Sequence, residues 1–332
     1  MKCLITGIAG LLGSNFSRHL LNKGYNVIGI DDLSGGCEEF VHKDAVFYRT
    51  DLSCVEAVNQ IFSSEKPDYV YHFAAYAAEG LSPFVRNYNY TNNILASANI
   101  INASINNDIK KVVFTSSMAV YGSDNPPFKE DQRPAPEDPY GIAKYAVEMD
   151  FKLASEMFGL KYSIVRPHNV VGIYQNIWDR YRNVIGIWIR QALLGEPLTL
   201  YGNGSQIRAF SDIKFYMEPF EKLMTEHDGE IFNIGADKYH TINEAADIVI
   251  AIAKEFGLSA SKIHLEKRNE VHLAYCDHSK ARDLLGFKDK TNLEETVRNM
   301  FEWARLEPQR QTKNMNYEIQ KNMYSFWKNN IF

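Results

Sequence analysis

Tyr140 and Lys144 stand four residues apart, directly after an Asp138-Pro139 pair. Asp before Pro reads as a helix start, with Asp as the cap and Pro in the first turn. The phenol and the ammonium then share one helix face. An ammonium beside a phenol favours the phenolate, which can take a proton from a hydroxyl near neutral pH. Upstream, Ser117 in Thr115-Ser116-Ser117-Met118-Ala119-Val120-Tyr121-Gly122 offers a hydrogen bond to the same hydroxyl. A Tyr and a Lys at this spacing are common by chance. Their weight comes from what precedes them in the chain.

Gly7-Ile8-Ala9-Gly10-Leu11-Leu12-Gly13 follows an apolar run, Lys2–Thr6, and opens a helical stretch, Leu11–Asn22. Glycines here permit a tight turn and let backbone N–H groups approach a pyrophosphate. The helix N-terminus adds positive potential. The spacing is GxxGxxG, one residue wider than the usual GxGxxG. Asp31, followed by Asp32, Leu33 and Ser34, ends the second strand, where a carboxylate can accept hydrogen bonds from an adenosine ribose. It would also repel a 2′-phosphate, so NAD is expected rather than NADP. Asp51-Leu52 ends the third strand; Asp51 reads either as a flank of the adenine or as a helix cap. Phe73-Ala74-Ala75 ends the fourth, where small residues let a cofactor approach. Four strand ends directed at one crevice predict a dinucleotide site.

The elements that must hold these residues are short apolar runs between helical stretches. Strands are expected at Lys2–Thr6, Asn26–Ile30, Val46–Arg49, Tyr69–Phe73, Lys111–Thr115 and Tyr162–Val165, with helices at Leu11–Asn22, Tyr90–Ile105 and after Pro139. This alternation predicts an α/β fold, a Rossmann-type doubly wound parallel sheet with right-handed crossovers. After about Gly172 the alternation weakens. Ile231–Ile234 reads as a returning strand and Ile242–Phe256 as an amphipathic helix. We therefore expect a dinucleotide-binding domain over residues 1–172, with returning segments from about 205–240. A smaller α/β substrate-binding region follows over 173–332. The tail, rich in Asn, Gln and Lys, is expected to fold onto the surface.

Composition limits the classes of function. The 332 residues carry a net charge of -5, with 45% apolar and 13% aromatic residues, which excludes a disordered chain. Slight acidity argues against general nucleic-acid or anionic-membrane binding. No apolar run approaches the roughly 18 residues of a membrane span. The N-terminal MKCLITGIAG is broken by glycines too early for a signal peptide and reads as a strand. Cys3, Cys37, Cys54 and Cys276 are scattered without CxxC spacing, so neither a disulfide framework nor a metal site is expected. A cytoplasmic location follows as the default.

Taken together, the glycine turn, the Ser117 strand end and Tyr140/Lys144 resemble the extended short-chain dehydrogenases/reductases, specifically their nucleotide-sugar epimerase branch, from Gly7 to about Phe287. The resemblance implies that Tyr140 is the catalytic acid/base, that Lys144 holds the cofactor ribose and tunes Tyr140, and that Ser117 assists. Leu11, Leu12, Asp31, Asp51, Ala74 and Asn93 match cofactor-contacting positions. His168 falls where the family often has an aromatic near the nicotinamide; on its own it reads equally as a packed loop histidine. The resemblance also assigns Asn169, Asn183-Val184, Tyr201, Arg208 and Arg268 to the nucleotide sugar, with the two guanidinium forks suited to a diphosphate. A homodimer through helices near Tyr90–Ile105 and Tyr140–Phe158 is the family expectation.

Related dehydratases carry Asp-Glu where this chain has Met118-Ala119, decarboxylating relatives a Glu at Ala119, and relatives that epimerise at C3 and C5 a Cys there. Two apolar residues instead imply redox at one carbon without a second proton-transfer centre, hence a 4-epimerase. UDP-glucose/UDP-galactose is the leading substrate pair. The alternatives are a UDP-uronic acid, UDP-pentose or GDP-sugar, a net NAD-dependent dehydrogenase or reductase, or a binding regulator on the same scaffold. Two departures from the family bear on the sugar: Ser211-Asp212-Ile213-Lys214 after the Arg208 loop, and Ala78-Glu79-Gly80-Leu81-Ser82. Glu79 is either a sugar-pocket residue or an exposed loop carboxylate.

Overall fold

The computed structural model describes residues 1–123, 126–311 and 314–328. β1 (Lys2–Thr6) leads through α1 (Leu11–Asn22) to β2 (Asn26–Asp31), then to β3 (Val46–Arg49), α2 (Val55–Glu65) and β4 (Tyr69–His72). α3 (Arg86–Tyr90), α4 (Ala96–Asn106), β5 (Lys111–Thr115), α5 (Pro139–Phe158) and β6 (Tyr162–Pro167) complete the first half. The second half begins with β7 (Val170–Val171), α6 (Val184–Leu194), β8 (Leu198–Tyr201), β9 (Ile207–Arg208), β10 (Ser211–Asp212) and α7 (Met217–Lys222). β11 (Ile231–Ile234), β12 (His240–Thr241), α8 (Ile242–Glu255), β13 (Lys262–Leu265), β14 (Leu273–Ala274), α9 (Leu293–Ala304) and α10 (Ser325–Lys328) follow.

Seven of these strands form one sheet in the order β11-β6-β5-β4-β1-β2-β3, all parallel. Both faces are covered, as a parallel sheet requires. Alternate residues of one strand therefore enter different cores. Leu4 packs with Val58, Phe62, Ile100 and Phe151 on one face, whereas Cys3 and Ile5 pack with Phe16, Leu20 and Phe220 on the other. The chain winds outward from β1 in one direction and from β4 in the other. The crevice between those two strand ends is where a doubly wound sheet receives its ligand.

Three differences from the sequence reading have identifiable causes. The helix expected from Tyr90 begins at Arg86, because Glu318, far away in the tail, accepts the otherwise orphaned N–H groups of Asn87 and Tyr88 at 2.7 and 2.9 Å. Of the returning stretch, only β11 joins the main sheet; α7 packs against α1, while β9 pairs with β12 and β14, and β10 with β7. The tail is not merely a surface coat. Met323, Phe326 and Trp327 are buried in an aromatic cluster with Phe84 and Tyr76.

α5 is fixed to the sheet by a buried ion pair. Arg166 on β6 donates from Nε and Nη2 to the two carboxylate oxygens of Glu148 at 2.9 and 2.6 Å, and from Nη1 to the Tyr121 hydroxyl at 2.8 Å. A bidentate pair of this kind sets orientation as well as distance. Among the described residues, no helix is long and apolar enough to cross a membrane.

Candidate active site

A cleft of about 930 Å³ opens over the C-terminal ends of β1, β2 and β4 and runs across to the second half of the chain. Gly7 begins its floor with φ +72°, and a Cβ there would lie 2.8 Å from the backbone nitrogen of Ala74. Only glycine allows both that turn and that approach. Gly10, Leu11 and Leu12 continue the wall, whereas Gly13 lies behind it. A Cβ on Gly13 would stand 2.2 Å from the Gly7 carbonyl oxygen, so its role is to let α1 close on the turn.

Asp31, Asp32, Ser34, Asp51, Leu52, Phe73, Ala74 and Ala75 line the same arm. Asp31 accepts the N–H of Ala9 at 3.0 Å and that of Leu33 at 2.8 Å, which anchors the carboxylate at the strand end. Burial pushes its carboxyl above the usual range, and these two N–H groups oppose the shift. Leu33 itself turns off the wall with φ +62°. A glycine floor, a small-residue strand end and a seated acidic residue fit a dinucleotide.

Asn93 and His168, both expected to contact the cofactor, do not line the cleft. Asn93 is buried away from the cleft surface; it accepts the N–H of Tyr76 at 2.9 Å and donates to its carbonyl at 3.2 Å, fixing the loop after β4. Its neighbour Asn92 faces the cleft instead. His168 also lies behind the wall, between Pro167 and Asn169, which line it. Its Nδ1 is 3.1 Å from the Ala209 carbonyl oxygen and its Nε2 is 2.9 Å from Nε2 of His278, whose Nδ1 reaches Asp237 at 2.9 Å. Burial holds His168 down to about 3, so the imidazole is neutral.

Ser117, Tyr140 and Lys144 meet on the wall between the two arms. Asp138 caps α5 by accepting the N–H groups of Tyr140 and Gly141 at 2.8 and 3.0 Å, which orients the first turn carrying the phenol. Lys144 donates to the Thr115 carbonyl at 2.8 Å, and its Nζ lies 5.9 Å from the centre of the Tyr140 ring. Burial pushes the Lys144 ammonium down to about 7, against the pull of Glu148. The same burial pushes the Tyr140 phenol up; Ser117's hydrogen bond pulls it back, and Glu79 and Asp138 raise it further. The lowering expected from Lys144 is thus outweighed in the protein alone, because desolvation disfavours both charged forms.

On the far arm, Asn169, Asn183, Val184, Tyr201, Arg208 and Arg268 all line the cleft. α6 begins at Val184 with no side chain capping its first turn, so the Asn183-Val184 step presents the positive end of a helix. Asn169 holds a buried Nδ2 with no partner among the described residues. Arg208 and Arg268 both reach Glu270, at 3.2 and 3.3 Å, and the Arg268 guanidinium lies 4.0 Å over the Tyr201 ring.

Among the wall residues that sequence reasoning missed are Arg182, Glu270 and Tyr324. Arg182 is bound to Asp179 at 2.8 Å and lies 5.3 Å over the Tyr76 ring, Glu270 joins the two arginines, and Tyr324 accepts the N–H of Asn269 at 2.9 Å. None stands in a motif.

Residues 3–235 match the NAD dependent epimerase/dehydratase family. The chain belongs to that family. It is 32% identical over 308 residues to a putative UDP-glucose 4-epimerase of Methanocaldococcus jannaschii, covering 91% of this chain and 98% of that one. The Thermotoga maritima UDP-glucose 4-epimerase, solved with UDP-glucose, superposes with a TM-score of 0.87 at 32% identity, covering 92% and 99% of the two chains. A Bacillus cereus UDP-glucuronic acid 4-epimerase, solved with UDP-glucuronic acid and NAD, gives 0.81 at 26% identity over 92% and 99%. The protein is therefore an extended short-chain dehydrogenase/reductase, an NAD-dependent nucleotide-sugar epimerase.

Proposed function

We propose that the enzyme interconverts UDP-glucose and UDP-galactose by inversion at C4. The observation that carries this reading is the meeting of Ser117, Tyr140 and Lys144 at the junction of a glycine-floored arm and an arginine-lined arm. In this reading residues 1–172, with β11, hold NAD through Gly7, Gly10, Leu11, Leu12, Asp31, Asp32, Ser34, Asp51, Leu52, Phe73, Ala74 and Ala75. The remainder holds the nucleotide sugar through Asn169, Asn183, Val184, Tyr201, Arg208 and Arg268. NAD, when bound, supplies a hydride acceptor that also returns the hydride, and its positive charge favours the phenolate. Tyr140 exchanges a proton with the C4 hydroxyl, Ser117 orients that hydroxyl by hydrogen bonding, and Lys144 holds the tyrosine's environment cationic. Arg208 and Arg268 keep the diphosphate in place while the sugar turns.

Ala119 on the cleft wall has no proton to offer, which supports chemistry at a single carbon. The purified enzyme, given UDP-glucose and no added NAD, is expected to produce UDP-galactose, followed by the anomeric proton signal. Stoichiometric NADH release would replace this reading with a net dehydrogenase.

We also propose a homodimer built on α5. Ile142, Met149, Leu153 and Met157 recur along that helix and are 43%, 47%, 53% and 70% exposed, with Leu95 beside α4 also open at 46%. An apolar stripe of this length on a charged surface is what a subunit interface presents. Light scattering is expected to give twice the chain mass, falling to one for the Met149→Glu/Leu153→Glu double variant; a monomeric parent would refute the assignment. The four unpaired cysteines support a cytoplasmic location.

A further inference from the structure

Glu79 is a charged group of the cleft that the roles above leave unused. It opens the short helical turn Glu79–Phe84, and its side chain points into the cleft. This turn is fastened to the catalytic helix. Ser82 Oγ lies 2.8 Å from the Glu79 carbonyl oxygen and 3.2 Å from the Asp138 carboxylate, and it accepts the N–H of Tyr140 at 3.2 Å. Ser82 therefore ties the backbone bearing Glu79 to the backbone bearing the phenol.

Across the cleft, the nearest cations are engaged mainly by another carboxylate, although Arg268 keeps an Nε without a partner among the described residues and its Nη1 lies beside Gly80. Arg208 and Arg268 share Glu270, and Arg208 also donates to the carbonyls of Ile207 and Val271 at 2.9 and 2.7 Å. Among the described residues, no hydrogen bond or ion pair reaches the Glu79 carboxylate. Glu79 is exposed to the open cleft; partial desolvation by the walls pushes its carboxyl up, Asp138 and Glu270 add to the shift, and Arg208 and Arg268 oppose it. At pH 8.5 it is a carboxylate, unpaired and facing the place where the sugar must sit beside Tyr140.

We propose that Glu79 selects the sugar: it accepts hydrogen bonds from the hydroxyls of a neutral hexose and rejects a hexuronate, whose C6 carboxylate would meet a second unpaired carboxylate. The inference rests on the reading that this cleft binds a nucleotide sugar with its diphosphate on Arg208 and Arg268. Once the diphosphate occupies those arginines, they offset Glu79 less, and a second carboxylate brought close to it is disfavoured by direct like-charge repulsion. Repulsion of this kind discriminates between substrates without any new attractive contact. The selection therefore distinguishes this chain's sugar from that of a uronate epimerase on the same fold.

The test is calorimetric titration of the NAD-loaded enzyme at pH 8.5 with UDP, UDP-glucose and UDP-glucuronate. The wild type is expected to bind UDP-glucuronate at least about tenfold more weakly than UDP-glucose. Glu79→Gln, which keeps the shape and removes the charge, is expected to narrow that ratio about fivefold or more by tightening the uronate. Glu79→Ala must shift the ratio in the same direction, and UDP, which carries no sugar, gives the reference against which each sugar's affinity is read in all three proteins. Wild-type affinities within twofold of each other, or a ratio unchanged in both variants, would overturn the assignment of Glu79. Failure of UDP itself to bind would overturn the placement of the diphosphate, and with it the function on which this inference rests.

Discussion

Tyr140→Phe is expected to lower kcat for epimerisation by a factor of about 10²–10⁴ while leaving the fold and NAD content intact. The phenol stands at the junction of the two arms, where it can both accept and donate a proton at a hydroxyl. Its removal corresponds to a barrier increase of about 3–5 kcal/mol. The fold is spared because the Tyr140 ring is 8% exposed and phenylalanine fills the same volume. The cap is spared as well, since Asp138 accepts the backbone N–H of residue 140 whatever its side chain. The phenol is neutral in the protein alone, held so by burial, Glu79 and Asp138. Phenylalanine therefore removes no charge from the free site, and UDP binding is expected to change by less than about threefold. Single-turnover kinetics on NAD-loaded protein would separate these effects. A variant that still turned over within tenfold of wild type would show that another group handles the proton.

The catalytic and dinucleotide motifs were legible in the sequence because each is local. A glycine turn, a strand-end carboxylate and a Tyr four residues before a Lys keep their geometry within one strand–turn–helix unit. The parallel, doubly wound character of the sheet followed from the alternation of short apolar runs with helices. What escaped depends on partners remote in the chain. Asn93 faces Tyr76, and His168 faces His278, 110 residues later, so their positions on a familiar motif did not reveal which way they point. Arg182, Glu270 and Tyr324 reach the cleft only because the second half of the chain and the tail fold over it. The direction of the Tyr140 shift was misjudged for a related reason. Sequence displays the neighbouring ammonium but not the burial that outweighs it.

Lys144→Met is expected to make the protein more stable and the enzyme less active. Lys144 is 2% exposed, its ammonium bonded to the Thr115 carbonyl and held 4.8 Å over the Phe114 ring. The carboxylate that pulls on it, Glu148, is already engaged by Nε and Nη2 of Arg166. A buried cation with so little compensation opposes folding, and burial accordingly lowers its titration to about 7. In the unfolded chain the same group titrates near 10.4. Between about pH 7 and 10.4 the unfolded state therefore binds more protons, and this residue makes stability rise with pH across that window. Methionine matches the chain length without the charge, so at pH 7 the variant should gain about 1–3 kcal/mol. That gain should shrink by pH 9, where the wild type has recovered most of its loss. Calorimetric melting of both proteins, stripped of NAD, at the two pH values would show it, and shifts common to other groups cancel in the difference. A variant that melts below wild type at pH 7, or a difference that does not narrow at pH 9, would refute the account. Turnover should fall by at least about tenfold at pH 7, because the charge that destabilises the fold is the one positioned to draw Tyr140 toward its reactive form.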